Sequence, residues 1–113
     1  MREKLRDEQR LLHIIEAIDN IFEFLQGKFL ETYYSDKILR FAVVKNLEII
    51  GEAAHLLTKE FKDNNNSISW NEIFGMRNIL VHGYYQIKHE IVWTTIELEL
   101  RPLRTQIADL LAK

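Results

Sequence analysis

The stretch RLLHIIEAIDNIFEFL, residues 10–25, sets its apolar positions Leu11, Ile15, Ile18, Phe22 and Leu25 at steps of four, three, four and three. An α-helix turns once every 3.6 residues, so these side chains fall on one stripe that other helices must cover. Gly27 follows where a helix end prefers glycine. The first element is therefore a helix over residues 10–25.

The same reading extends toward the C-terminus. After a short connection holding Tyr33 and Tyr34, Ser35 is placed to cap a second long helix with Leu39, Val43, Leu47, Ile50, Ala54 and Leu57 on its apolar face. Gly51 in its middle costs about 1 kcal/mol relative to alanine, which marks a place where another helix approaches closely. The run DNNNS, residues 63–67, ends it as a loop. In SWNE, Ser69 and Glu72 have the spacing of a capping box, starting a third helix over residues 70–82 with Gly83 as its stop. A fourth helix is expected over residues 89–111, kinked by Pro102. No segment alternates with period two. The expectation is one all-α domain over residues 1–113, an antiparallel four-helix bundle.

Composition agrees. Hydrophobic residues make up 47% and charged residues 28% of 113, with four Gly and one Pro, the profile of a soluble helical protein. The absence of cysteine excludes disulfides, thiolate catalysis and cysteine-ligated metal sites. A net charge of -2 excludes a broad basic face wrapped on a duplex, but leaves room for a small site acting on nucleic acid. The start MREKLRDEQRLLHII is charged where a signal peptide is apolar, and no apolar run is long enough to span a bilayer; a cytoplasmic protein without membrane attachment is expected.

The segment MRNILVHGYYQ, residues 76–86, gathers an arginine, a histidine and two tyrosines around Gly83. On an ideal helix Arg77 and His82 stand about 140° apart, so they converge only if the helix unwinds there or if a two-fold dimer brings two copies together. One reading is plain: a polar helix end, with cations on the dipole and tyrosines at the bundle's edge. The other is chemical. Cleavage of RNA by its own 2′-hydroxyl needs proton transfer near neutral pH, which suits His82, and charge stabilisation at phosphorus, which suits the planar fork of Arg77. Asn78 would add a hydrogen bond to substrate or orient a partner group.

Other polar residues are read more simply. Glu52 and His55 share the Glu-x-x-His spacing of di-iron bundles, but a second pair is missing from the sequence, so no metal is expected and Glu52 is assigned a buried or interface hydrogen bond. His13 and His89 read as solvated or interface residues. Trp70 and Trp93 read as core or contact residues, with stacking on an RNA base as the alternative.

The segment RNILVHGYY resembles the R-x-x-x-x-H-x-Y signature of HepT-like toxins, a branch of the HEPN superfamily of small helical proteins. RFAVVKNLEIIGEAAHLL, SWNEIFGMRN and EIVWTTIELELRPL resemble the blocks around it, in order and with similar spacing. Ser69 stands where members often carry proline, and serine caps as well. The resemblance implies a four- to five-helix bundle that forms a homodimer, and a ribonuclease working without metal or other cofactor through Arg77 and His82 of both subunits. Asn78, Tyr84 and Glu52 would border that site. It also implies a toxin acting on RNA such as tRNA or mRNA, paired with a minimal nucleotidyltransferase antitoxin that silences it by adenylylating Tyr84; Tyr85 falls outside the signature register. The alternative is a non-catalytic binding or regulatory subunit of such a nucleotidyltransferase.

Overall fold

A helix with apolar residues on one stripe is stable only when neighbours bury that stripe, and the computed structural model, which describes residues 2–75 and 87–113, shows how this chain does so. The first helix, α1, runs over Arg2–Leu25. It begins well before residue 10 because Arg2 to Gln9 are nearly all strong helix formers, which the apolar pattern alone overlooks. It stops as expected at Gly27, whose φ of +72° lies in the left-handed region open to glycine.

The connection holding Tyr33 and Tyr34 is itself a short helix, α2, Leu30–Ser35. The long α3 follows over Lys37–Leu56, and its cap is Asp36 rather than Ser35. The Asp36 carboxylate accepts from the Leu39 N–H at 3.0 Å, while the Ser35 hydroxyl turns back to the Thr32 carbonyl inside α2. A second start at Thr58 gives α4, Lys59–Asn64, with the Thr58 hydroxyl accepting from the Phe61 N–H. Helix α5 starts at Trp70, its first turn closed by the Ser69 carbonyl, and is described over residues 70–75.

The expected fourth helix is two: α6, His89–Leu98, and α7, Leu100–Ala112. Pro102 has no N–H to offer the Leu98 carbonyl and its ring crowds that carbonyl, so the helix breaks at Glu99 and restarts. Among the described residues every regular element is an α-helix, and no helix is long and apolar enough to cross a membrane.

Pairs along the helices set their directions. Asp7 meets Thr58 and Asn20 meets Asn46, so α1 and α3 are antiparallel; Phe22 lies under Arg101 and Asp19 pairs with Arg104, so α1 and α7 are antiparallel too. Wedged between two helices, α1 buries a wider arc than its stripe suggested. Ile14 and Ile21 are wholly buried together with Leu11 and Ile18, whereas Ile15, Phe22 and Leu25 are only partly covered. The predicted face of α3 is buried throughout. Val92, Ile96, Leu100, Leu103 and Ile107 of α6 and α7 complete the core.

One buried charge stands out. The Asp7 carboxylate, 6% exposed, accepts from the Thr58 N–H at 2.9 Å and from the Thr58 hydroxyl at 2.8 Å, tying the start of α1 to the corner between α3 and α4. Asp7→Ala would leave those donors without their acceptor, at a cost of about 1–3 kcal/mol. A chemical-unfolding titration is expected to show a lowered midpoint; a midpoint equal to the parent's would mean the tie contributes nothing.

Candidate active site

Arg77, Asn78, His82 and Tyr84 lie outside the described residues, so the site is built from what leads into and out of that segment. On the leading side is α5. Phe74, three residues before Arg77 in sequence, stacks on the exposed His55 of α3 with ring centroids 4.1 Å apart and planes 16° from parallel. Glu52 stands one helical turn before His55 on the same helix and is half-buried. The α3 and α5 segments are thus joined face to face just ahead of the signature.

On the far side, Ile87 and Lys88 lead into α6 at His89. The His89 ring, read from sequence as solvated or interfacial, is half-buried and held within the chain. Its Nδ1 lies 2.7 Å from the hydroxyl of Tyr33, a residue of α2 with no exposed surface, and its ring meets Tyr33 and Tyr34 edge to face. Trp93, one turn further along α6, packs against Tyr33 with centroids 5.6 Å apart. Arg40 of α3 donates to the carbonyls of Tyr33 and Tyr34 and so fixes α2 from beneath.

The electrostatics of this corner are consistent. Burial pushes the Tyr33 hydroxyl up to about 12, against a smaller opposing effect of the Arg40 cation. Burial and then Arg40 hold the His89 imidazolium below its ordinary range, with Glu90 pulling the other way. A protonated phenol beside a neutral imidazole makes this a hydrogen bond between two uncharged groups, whose direction follows the imidazole tautomer.

A stability signature follows. Because His89 binds its proton more weakly folded than unfolded, the folded state gains from the neutral ring above the unfolded pKa near 6.5 and loses that gain as pH falls through the lower folded pKa. Tyr33, Tyr34, Arg40 and Glu90 face the ring, and none of them changes the sign. In melting curves taken from about pH 7.5 downward, the parent is expected to lose more stability than His89→Gln over this window. Parallel curves would remove His89 from the account.

With this frame in place, comparison with known proteins decides the family. The family model described as "Ribonuclease HepT-like" matches residues 14–110. The chain belongs to the HepT-like ribonuclease family. A protein of Caldanaerobacter subterraneus subsp. tengcongensis described as an RNase is 38% identical over 103 residues, covering 91% of this chain and 92% of that one. A protein of Thermococcus cleftensis named as a ribonuclease HepT is 35% identical over 97 residues, covering 86% and 88%. A third, an RNase by name from Methanocaldococcus jannaschii, is 29% identical over 103 residues, covering 90% and 94%. No solved structure matches.

Within this HepT-like chain the described residues add three features that spacing alone did not bring out: the Phe74 and His55 stack, the Tyr33 and His89 bond, and the Asp7 tie to Thr58. Trp70 is buried as expected, its indole N–H bonded to the Asn65 carbonyl at 3.1 Å. Among the described residues no group of three or more His, Cys, Asp or Glu side chains is placed to hold a metal ion.

Proposed function

We propose that this HepT-like protein is a metal-independent endoribonuclease and the toxin of a toxin-antitoxin pair, with Arg77 and His82 as its catalytic residues. The observation that carries this reading is that the ribonuclease family match, residues 14–110, runs across the segment holding the arginine, histidine and tyrosine of the signature.

In the reaction, neutral His82 takes the proton of a 2′-hydroxyl as its oxygen attacks the adjacent phosphorus. Arg77 holds the non-bridging oxygens while charge builds on them. The bond to the 5′-oxygen then breaks, and that oxygen takes up the proton now held on the His82 imidazolium, leaving a 2′,3′-cyclic phosphate and a 5′-hydroxyl. Asn78 and Glu52 support the site by hydrogen bonding.

A homodimer serves this chemistry because an ideal helix through the signature would set Arg77 and His82 about 140° apart. The outer face of α3 supports it: Ile38, Phe41, Ile49 and Leu56 are all exposed there, and Ile91 and Leu98 are exposed on α6. The antitoxin is a minimal nucleotidyltransferase, and Tyr84 is the residue it adenylylates.

The test is incubation of purified protein with total RNA in EDTA, followed by analysis of product ends. Cyclic phosphate and 5′-hydroxyl ends are expected. Ends carrying 3′-hydroxyl and 5′-phosphate, or cleavage only after a divalent ion is restored, would require an activated water and overturn the mechanism.

A further inference from the structure

The His55 and Phe74 stack has a use that neither helix packing nor the catalytic pair explains. His55 is exposed although one face of its imidazole is covered by the Phe74 ring at 4.1 Å. What solvent reaches is therefore the opposite face and the outer edge. A packed histidine of this kind is a flat, rigid surface already held in orientation, so a second ring landing on it loses little freedom of its host. Nucleobases stack on such rings in single-stranded RNA recognition, and every base offers a π-face.

Its surroundings match a nucleotide. Lys62 of α4 donates to the His55 backbone carbonyl at 3.4 Å, which brings an ammonium group to the C-terminal end of α3. Two of its three protons remain for other acceptors, and a phosphate next to a stacked base is a fitting one. Lys62 also borders a hollow of about 560 Å³ lined by the neutral Asn66, Ser69 and Asn71 and by the carboxylates Asp63, which pairs with Lys59, and Glu72. These groups can hydrogen-bond base edges or sugar hydroxyls of a strand continuing from the ring. The platform joins α3 to α5, the helix that leads to the signature: Phe74 is three residues before Arg77 in sequence, and His55 is three residues after Glu52.

We propose that His55, backed by Phe74 and with the Lys62 ammonium at its carbonyl, is a nucleobase-stacking subsite that holds single-stranded RNA for cleavage. The proposal rests on the ribonuclease reading for the identity of its ligand. It assigns His55 a binding role, not proton transfer.

Two arms test it, both with a fluorescently labelled single-stranded RNA. In the first, cleavage kinetics are compared for the parent, His55→Ala and His55→Phe. His55→Ala is expected to raise KM about tenfold with kcat within about twofold, and His55→Phe, which keeps a ring but has no titratable nitrogen, is expected to restore KM. In the second, binding is measured by anisotropy on a His82→Ala background, so that the RNA stays intact. There His55→Ala is expected to weaken Kd by a similar factor and Lys62→Ala to weaken it with a reduced salt dependence.

Unchanged KM and Kd in His55→Ala would overturn the subsite while leaving the nuclease standing. A fall in kcat shared by His55→Ala and His55→Phe would also overturn it, because that pattern belongs to proton transfer. A parent that cuts no RNA overturns the nuclease reading instead, and the anisotropy arm still decides the subsite.

Discussion

Alanine in place of His82 is expected to reduce RNA cleavage by roughly 10²–10⁴-fold, with the helical circular dichroism and melting temperature of the parent retained. The size follows from what the side chain would do. Moving a proton off the 2′-hydroxyl as it attacks, and then onto the departing oxygen, needs a group whose pKa lies near the working pH, and alanine hands both steps to water. Arg77→Ala is expected to cost about 10²–10³-fold, the usual worth of one preorganised donor aimed at developing charge. Arg77→Lys would recover only part of this, because an ammonium group supplies the charge but not the two-pronged match to phosphate oxygens. The measurement is the single-turnover rate in EDTA with protein in excess over RNA. A His82→Ala rate equal to the parent's would overturn the assignment. So would a His82→Ala protein that has lost its helicity, since the loss would then be structural.

The proposed dimer makes the test sharper. If each site draws on both subunits, mixing inactive His82→Ala with inactive Arg77→Ala is expected to restore part of the activity, because some mixed dimers hold one intact pair. Recovery in the mixture and none in either variant alone is a result that a purely monomeric site does not produce.

The helices were the most legible part of this chain. Steps of three and four identified the buried face of α3 and part of that of α1, where Leu11 and Ile18 are buried but Ile15, Phe22 and Leu25 only partly so; Gly27 stopped α1 where its left-handed φ favours glycine, and Ser69 preceded α5. Each of these is a local matter, decided by residues within a turn or two of one another. The misreadings arose where local rules tie or fall silent. Ser35 and Asp36 are both good caps, and only the fold of Leu30–Ser35 into its own helix gives the role to Asp36. The break at Glu99 was read as a kink because a single proline permits either outcome.

Contacts between distant residues were not legible at all. Tyr33 and His89 are separated by 56 positions, and Asp7 and Thr58 by 51, and neither pair leaves a periodic trace. The signature residues form the reverse case. Arg77, His82 and Tyr84 were legible as a spaced motif, while Glu52 is the member of the candidate set that the described structure places, half-buried one turn before His55. A motif names its chemistry without its distances, and a helix face gives distances without chemistry. In this chain the two meet at Phe74 and His89, on either side of the signature.

Adenylylation of Tyr84 is expected to silence the nuclease by roughly 100-fold or more, because in the proposed mechanism the added anion competes with the substrate phosphate for Arg77. In the transfer, the Tyr84 hydroxyl attacks the α-phosphorus of ATP, pyrophosphate leaves, and the tyrosine oxygen becomes one arm of a phosphodiester that keeps one negative charge. Tyr84 follows His82 by two residues in sequence, so that charge is tethered close to the signature cation, and Arg77 acquires an internal partner that competes with RNA. The adenosine adds bulk at the same place. Incubating the protein with its nucleotidyltransferase, Mg²⁺ and ATP, then following intact mass and cleavage together, separates modification from binding. One added adenylyl group and lost cleavage are expected for the parent and for Tyr85→Phe. Tyr84→Phe is expected to gain no mass and to cleave equally with and without ATP, whatever its own rate. Equal inhibition of the parent with ATP omitted would show that the antitoxin acts by covering the site, and the charge argument would then have no part in silencing.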